Sequence, residues 1–279
     1  MKLTATMIAR NEAWCIAASA IAALAWCDDL VIVDHQSTDA TADIVSTIAR
    51  DNPGRVHMLT VAGEWNEADY RQAALIEARK HGATHIAVID GDEVLTANLL
   101  PTIRGAIEAA PVGVMLKLPW IILWKSPSLY RTDGMWGSAR AFVAFEDSPG
   151  VQWGAVGGMQ FHTRFPGGVR FQDVGNRDGG GLIHLQFYNW RRALCKQVWY
   201  AMQEAIRYPG RTSTEEINAK YSRSLSEAGA TYAPIHADWW PGGDFPKCEA
   251  EPWQEAECRR MVEKYGRAAF SGINLRGVC

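Results

Sequence analysis

The sequence lacks a long apolar run, an excess of one charge and any pair of closely spaced cysteines. Its longest apolar run beyond the N-terminal segment covers residues 112–124, which is too short for a bilayer and contains Lys117 and Pro119. Arg10, Asn11 and Glu12 interrupt the first apolar segment, which argues against a signal peptide. We therefore expect a cytoplasmic protein with no transmembrane segment.

The charge and cysteine content exclude further classes. A formal net charge of −3 provides no general attraction to nucleic acid or to an anionic membrane. The six cysteines include no C-x-x-C pair, so the sequence indicates neither a zinc site nor a disulfide framework. With 279 residues, of which 48% are hydrophobic, the chain can form one large α/β domain with appendages.

Strand-like and helix-like segments alternate through the first 110 residues. Short apolar runs predict strands at residues 2–9, 30–34, 55–61 and 84–90. Helical spacing and capping signals predict helices at residues 11–26, 38–50, 66–81 and 96–109. This alternation predicts a mostly parallel sheet with ligands bound beyond the carboxyl ends of its strands.

The pattern changes after Pro111. Apolar and aromatic segments at residues 112–124, 139–146 and 181–187 are separated by Gly and Pro, which predicts mixed or antiparallel sheet. Helices are predicted again at residues 189–207, 213–228 and 252–270.

The first polar group follows the second predicted strand, in VIVDHQSTDAT at residues 31–41. Asp34 ends the strand, and a turn containing Ser37 and Asp39 leads into a helix. Such a carboxylate can accept hydrogen bonds from a nucleobase N–H or from ribose hydroxyls, and the turn suits an anionic ligand. Alternatively, Asp34 only stabilises the turn and Asp39 only complements the helix dipole.

The second polar group follows the fourth predicted strand, in IAVIDGDEVL at residues 86–95. Three acids at the end of a buried strand are costly unless a cation or polar ligand shares the site. Asp90 and Asp92, with the small Gly91 between them, can face one Mg²⁺ or Mn²⁺ completed by water and substrate phosphates. Glu93 is then a supporting group. A solvated acidic turn is the alternative.

Taken in order, MIARNEA, VIVDHQSTDAT, Arg71 and VIDGDE resemble the GT-A glycosyltransferases of family 2, over roughly the first 110 residues. The resemblance implies a GT-A, Rossmann-like α/β fold whose mostly parallel sheet is flanked by helices, with a mixed-sheet acceptor half and C-terminal helices. It implies a single domain with a nucleotide-sugar-binding part at residues 1–110 and an acceptor-binding and metal-closing part at residues 111–188. Residues 189–279 would form a helical extension.

The implied activity is metal-assisted transfer of a sugar, with inversion, from a nucleotide-diphosphate sugar to an acceptor hydroxyl. A UDP-sugar is the favoured donor, and Mn²⁺ or Mg²⁺ is the implied cofactor. Asp34 would read the base, and Arg71 would reach the base or the phosphates. Asp90 would lie near the ribose or the metal, and Asp92 would bind the metal. The rest of the nucleotide pocket would be lined by Ala9, Arg10, Asn11, Glu12, Ser37, Asp39 and Gly91.

The later half resembles the family less closely. His184 would close the metal site and Lys196 would approach a phosphate, with a core histidine and a surface lysine as the alternatives. Many relatives carry a His-Glu pair on the acceptor side, whereas residues 160–163 read Gln-Phe-His-Thr and place no Glu after His162. The catalytic base therefore stays open. The acids available in this half are Asp133, Glu146, Asp173 and Asp178, and we prefer Asp178, narrowly, over Asp133.

Two other functions fit parts of the sequence. VIDGDEV matches the nucleophile motif of haloacid-dehalogenase-like phosphohydrolases, although that motif normally ends the first strand. The missing His-Glu pair is also compatible with a non-catalytic nucleotide or carbohydrate binder. The expected acceptor is a glycan or lipid-linked sugar, with a protein or a modified DNA base left open. An aromatic acceptor groove or plain core packing would explain a group of tryptophans: Trp120, Trp124, Trp136, Trp153 and Trp190.

Overall fold

A computed structural model describes residues 1–154, 164–248 and 251–279. The chain forms two compact units. The first consists of Met1–Ile121, Ser138–His184 and Ile235–Lys247, and the second consists of Ile122–Gly137, Leu185–Pro234 and Cys248–Cys279. No helix in these described ranges combines the length and apolarity needed to span a membrane.

The first unit is built around a sheet whose first half is parallel. Its first four strands are β1 (Leu3–Ala9), β2 (Asp29–Asp34), β3 (Val56–Thr60) and β4 (His85–Val88). They pair in the order β3-β2-β1-β4, and every neighbouring pair is parallel. The helices of this unit are α1 (Ile16–Leu24), α2 (Thr41–Asp51), α3 (Glu67–Lys80) and α4 (Ile103–Glu108).

Strand β2 shows why its apolar run is continuous rather than alternating. Leu30 and Ile32 pack in the core that includes Ile16 of α1 and Val45 of α2. The intervening Val31 and Val33 pack in a second core, which includes Tyr70 and Ala74 of α3. Because successive side chains point to opposite faces of the sheet, a strand covered by helices on both faces must be apolar throughout.

The second half of the sheet is mixed. Strand β8 (Arg140–Glu146) pairs antiparallel with β4, and β6 (Val114–Ile122) pairs antiparallel with β8 and parallel with β9 (Arg170–Asp173). Strand β10 (Leu182–His184) lies next to β6 in the sheet and pairs antiparallel with β5 (Glu93–Leu95) on its other side. This pairing places His184 opposite Glu93. The predicted α/β fold, with a mostly parallel sheet flanked by helices and a mixed second half, is confirmed.

The second unit contains the predicted C-terminal helices. Its elements are β7 (Leu129–Arg131), α5 (Gly134–Gly137), α6 (Trp190–Arg207), α7 (Thr214–Arg223), β11 (Tyr232–Pro234) and α8 (Trp253–Tyr265). The strands β7 and β11 pair antiparallel. Trp124 and Trp136 are buried and pack on the ring of Phe187, so these tryptophans form core rather than an exposed groove.

Several predicted boundaries differ from the structure; the helix predicted at residues 252–270, for example, ends at Tyr265. The first helix begins at Ile16 rather than at residue 11, because Asn11 adopts a left-handed backbone with φ of 52°. Thr96 caps no helix, since its hydroxyl accepts the Gly181 N–H at 3.0 Å, and α4 begins only at Ile103. The helix predicted at residues 213–228 ends at Arg223.

Candidate active site

The residues after β1 and those after β2 form one hydrogen-bonded surface. The adjacent strands place Ala9 opposite Asp34. The Asn11 N–H donates to Ser37 Oγ at 2.8 Å, and Asn11 Oδ1 accepts the backbone N–H of Thr38 at 2.6 Å and of Asp39 at 3.3 Å. The structure therefore brings the predicted segment 9–12 and the predicted turn together at the carboxyl edge of the sheet.

Asp34 and Asp39 both bind backbone groups of this surface. Asp34 is buried and accepts the N–H of Ser37 at 3.1 Å and also its hydroxyl. Asp39 accepts the N–H of Thr41 at 2.9 Å and that of Ala13 at 3.1 Å. These bonds stabilise the turn. A carboxylate offers about four lone pairs, so the same oxygens retain capacity for a ligand.

Arg10 and Glu12 lie at the same edge and are half-buried. The Glu12 N–H donates to Thr41 Oγ1 at 2.8 Å. Arg10 Nη1 lies 3.2 Å from Nδ1 of the buried His35, whose Nε2 lies 2.8 Å from the Gly63 carbonyl oxygen. Because a guanidinium only donates and a carbonyl only accepts, these two contacts fit the tautomer of His35 that accepts at Nδ1 and donates from Nε2. His35 lies inside the VIVDHQSTDAT segment, but no role was predicted for it from the sequence.

Asp90 lies between two guanidinium groups. Its Oδ1 lies 2.8 Å from Arg71 Nη2, and its Oδ2 lies 2.6 Å from Arg164 Nη1. Arg71 also donates to Glu67 Oε1 from Nε at 2.9 Å and from Nη2 at 2.8 Å. Burial raises the pKa of Asp90, but the charges of Arg71 and Arg164 outweigh this effect and lower it to about 2. Asp90 is therefore ionised at neutral pH.

Glu93 is completely buried behind the same turn. Its Oε2 accepts the Asp90 N–H at 2.9 Å and lies 2.6 Å from Arg164 Nη2, while its Oε1 accepts the indole N–H of Trp120 at 2.8 Å. Burial raises the pKa of Glu93, although the charge of Arg164 opposes the shift. The five alternating charges Glu67, Arg71, Asp90, Arg164 and Glu93 are called the charge chain below.

Asp92 points to a different partner. The Asp92 side chain is buried, and its Oδ2 lies 3.4 Å from Nε2 of the buried His184. Trp120 stacks on the His184 ring, with centroids 4.6 Å apart and planes 10° from parallel. Within the described part of the chain, His184 Nδ1 has no hydrogen-bond partner. The structure thus brings together two predicted metal ligands that are far apart in the sequence.

The donor set at Asp92 and His184 fits a divalent cation that also binds substrate. One carboxylate oxygen and one imidazole nitrogen suit Mn²⁺ or Mg²⁺, which usually retain water or substrate phosphate among their ligands. Among the described residues, no group of three or more His, Cys, Asp or Glu side chains is arranged to hold a metal by itself. Substrate oxygens would therefore have to complete the coordination.

Gly91 packs tightly against the start of α1. A Cβ added at Gly91 would lie 3.3 Å from Ile16 Cδ1 and 3.4 Å from Glu12 Cγ. The Gly91 carbonyl accepts a hydrogen bond from the Cys15 thiol at 3.2 Å. A small residue between the two aspartates thus lets the turn approach the residue 9–12 segment.

The contacts described above do not include the remaining predicted residues. Asp178 is exposed on a 3₁₀ turn at Arg177–Gly179 of the first unit. Asp133 and Lys196 belong to the second unit, with Lys196 half-buried on α6. The predicted His162 neighbourhood lies outside the described residues.

Asp133 is held in an ion pair. Its carboxylate accepts hydrogen bonds at 2.9 Å from both Nε and Nη2 of Arg131, and the Thr231 N–H at 3.0 Å. The hydrogen bonds from Arg131 lower the pKa of Asp133 to about 2. A carboxylate so strongly stabilised in its ionised form is a weak proton acceptor, which disfavours Asp133 as a base.

The class of protein follows from a comparison with known families. Residues 5–149, more than half of the chain, match the family described as glycosyl transferase family 2. The chain belongs to this family, and the resemblance seen in its motifs is confirmed. A search of the curated proteins finds no match.

Similar solved structures share little sequence with the chain. S. aureus TarS 1–349 in complex with UDP-GlcNAc is 21% identical over 43% of this chain and 35% of that chain, with a TM-score of 0.34. TarS 1–349 alone is 12% identical over 82% of this chain and 73% of that chain, with a TM-score of 0.43. A third structure is glucosyl-3-phosphoglycerate synthase from Mycobacterium tuberculosis in complex with Mn²⁺, UDP and glucosyl-3-phosphoglycerate. It is 15% identical over 43% of this chain and 44% of that chain, with a TM-score of 0.34.

Proposed function

We propose that the chain is a metal-dependent glycosyltransferase that moves a sugar from UDP-sugar to an acceptor hydroxyl with inversion. The observation that carries this proposal is the pairing of Asp92 with His184, 3.4 Å apart and buried, in a member of glycosyl transferase family 2. In open α/β sheets, ligands bind beyond the carboxyl ends of the parallel strands. Asp34 ends β2, and Asp90 and Asp92 follow β4.

The base and ribose would lie on the surface formed by residues 9–12 and the turn after Asp34. Uracil presents an N–H that a carboxylate such as Asp34 accepts well. Ser37 and Asn11 hold that carboxylate and its turn in place, so little reorganisation is needed when the nucleotide binds. We propose that Arg10, Glu12 and Asp39 line the same pocket.

The diphosphate would lie beside the turn at residues 90–92. Asp92 and His184 would hold Mn²⁺ or Mg²⁺, which when bound offsets the charge that develops on the departing diphosphate. Both oxygens of Asp90 bind guanidinium groups, so we propose that Asp90 mainly orients Arg71 toward the nucleotide. Its coordination of the metal, and the approach of Lys196 to a phosphate, stay predictions.

An inverting transfer needs one group that accepts the proton of the acceptor hydroxyl. We propose Asp178 for this role because its side chain is exposed to solvent, which would allow an acceptor hydroxyl to approach it. The proposed acceptor is a glycan or lipid-linked sugar. A protein or a modified DNA base remains an outcome that acceptor screening would reveal.

A thermal-shift screen tests the proposed donor. Uridine, guanosine, cytidine and thymidine diphosphates are added with and without Mn²⁺. Ligand at about 100 times its Kd stabilises the native state by about 2.7 kcal/mol, so UDP with Mn²⁺ should raise Tm by about 5 °C. The Asp92→Ala variant should lose most of the increase in Tm that depends on Mn²⁺. Failure of every nucleotide to raise Tm would overturn the proposal, whereas a rise with another nucleotide alone would replace uridine as the base.

A further inference from the structure

The charge chain contains more buried charge than binding of one cation requires. Arg164 makes four contacts at hydrogen-bond distance: Asp90 Oδ2 at 2.6 Å, Glu93 Oε2 at 2.6 Å, and the carbonyl oxygens of Val88 at 3.1 Å and Phe142 at 3.2 Å. Arg164 is buried, as is Glu93. Apolar replacements of buried ion pairs are often as stable or more stable, so stability alone does not account for this arrangement.

Glu93 connects the two proposed metal ligands. Its carboxylate accepts the Asp90 N–H at 2.9 Å and so closes the turn that carries Asp92. The other oxygen accepts the Trp120 indole N–H at 2.8 Å, and the same indole stacks on His184. Glu93 also lies directly opposite His184 in the pairing of β5 with β10. One buried carboxylate thereby fixes Asp92 through the backbone and His184 through the Trp120 ring.

We propose that Glu93 and Arg164 are positioning residues, which hold Asp92 and His184 at the separation that a divalent cation and a diphosphate require. This inference rests on the proposed function. Arg164 forms ion pairs with both Glu93 and Asp90 through the two Nη groups of one planar guanidinium. A lysine ammonium cannot reproduce that planar, forked geometry. The two residues act through Asp92 and His184 and make no contact with substrate in this assignment.

The test measures Mn²⁺ binding rather than activity alone. Free Mn²⁺ is followed by electron paramagnetic resonance during titration of the full chain in the presence of UDP. The variants are Glu93→Gln, which keeps the side-chain volume, Arg164→Lys, and Trp120→Phe, which keeps a ring over His184 but removes the N–H donor. UDP binding without metal is measured by calorimetry for each variant.

Arg79→Lys is the matched control. Arg79 also forms a two-point ion pair, with Asp147 Oδ1 and Oδ2 at 2.7 Å each, and donates to the carbonyl oxygens of Ser148 at 3.2 Å and Val151 at 3.0 Å. It lies on α3, and among the described residues its ion pair and hydrogen bonds involve Asp147, Ser148 and Val151 rather than residues assigned to the site. The Arg79→Lys substitution measures how much the loss of a two-point guanidinium–carboxylate ion pair lowers the free energy of unfolding.

We expect Glu93→Gln and Arg164→Lys to raise the Kd for Mn²⁺ by about tenfold or more, because carboxylate and guanidinium partners that support a metal site typically contribute that much to affinity. Trp120→Phe should raise it by a smaller factor, and Arg79→Lys should leave it within about twofold. Unchanged Mn²⁺ affinity in both Glu93→Gln and Arg164→Lys would overturn the inference. If one of these variants does not fold, the Mn²⁺ affinities of the other variant and of Trp120→Phe test the inference.

The controls separate this inference from the proposed function. If wild type binds neither UDP nor Mn²⁺ with UDP, the proposed function fails and the inference fails with it. If wild type shows Mn²⁺-dependent UDP binding and the variants retain its full Mn²⁺ affinity, only the inference is wrong. A matching loss in Arg79→Lys would also overturn it, because the effect would then follow general destabilisation.

Discussion

Asp90 and Asp92 are two positions apart and bind different partners. Both oxygens of Asp90 lie against guanidinium groups, whereas Asp92 lies against an imidazole. The two side chains leave the turn toward different partners, and the intervening Gly91 lets that turn pack against α1. A D-x-D pattern therefore does not require two equivalent metal ligands.

The proposed base gives a prediction at the scale of one residue. Asp178→Asn keeps the shape of the side chain but cannot accept the proton of the acceptor hydroxyl. We expect kcat for sugar transfer to fall by about 10² to 10⁴, with UDP and Mn²⁺ affinity unchanged. Steady-state kinetics and calorimetry measure the two effects. A transfer rate equal to wild type would show that another group accepts the proton.

Asn11 gives a second prediction at this scale. Asn11→Gly permits the same left-handed backbone but removes the oxygen that accepts the N–H groups of Thr38 and Asp39. The free energy of unfolding should fall by about 1–2 kcal/mol in urea titrations. Asn11→Ala should cost about 1 kcal/mol more, because alanine is strained at this φ. Equal stability of the two variants would contradict the assigned backbone role.

Local spacing made some site residues predictable and left others hidden. Glu67 precedes Arg71 by four positions on a helix, so their ion pair is visible in the sequence. Arg164 lies 74 positions after Asp90 and 71 after Glu93, and no local pattern marks it. His35 lies within the VIVDHQSTDAT motif, but its contacts with Arg10 and with the Gly63 carbonyl oxygen join separate segments and could not be predicted from that motif.

At the scale of elements, strands that are buried on both faces were predicted best. β1, β2 and β4 consist largely of apolar residues that only a covered sheet accommodates, and the structure has all three. Short strands such as β5 and β7 have three residues each and present too few side chains for a period to be recognised. Helix starts were misplaced where a side chain binds a distant backbone group, as Thr96 does.

The Asp133–Arg131 pair in β7 and the following loop predicts a pH dependence of stability. The pKa of the Asp133 carboxyl falls from an ordinary 3.8 to about 2 on folding. The pair therefore stabilises the native state at any pH at which this carboxyl is ionised in both the folded and the unfolded chain. This contribution should be complete above about pH 5 and disappear as the pH falls toward 2. Asp133→Asn should lower the free energy of unfolding by about 1–2 kcal/mol near neutral pH.

Urea titrations at neutral and at acid pH measure this dependence. The difference between wild type and Asp133→Asn should shrink as the pH approaches the folded pKa. Sugar transfer should change little at neutral pH, because the account assigns proton acceptance to Asp178. A difference that persists at the lowest pH would contradict the ion-pair explanation, and a large loss of transfer would restore Asp133 as the base.

At the scale of the whole molecule, the family match and the motif resemblance both concern the first half of the chain. The match ends at residue 149, before His184 and most of the second unit. His184 reaches Asp92 only because β10 pairs with β5, and that pairing of distant segments has no counterpart in local sequence. The division into nucleotide, acceptor and extension parts stays a prediction about function.

Metal-dependent transfer from a UDP-sugar is tested by measuring the release of UDP from a panel of UDP-sugars with Mn²⁺ in wild type and in Asp92→Ala. We expect wild type to release UDP from at least one UDP-sugar, and folded Asp92→Ala to release it at a rate lower by a factor of about 10² or more. Absence of release from every sugar with any divalent metal, or equal release by folded Asp92→Ala, would contradict the account.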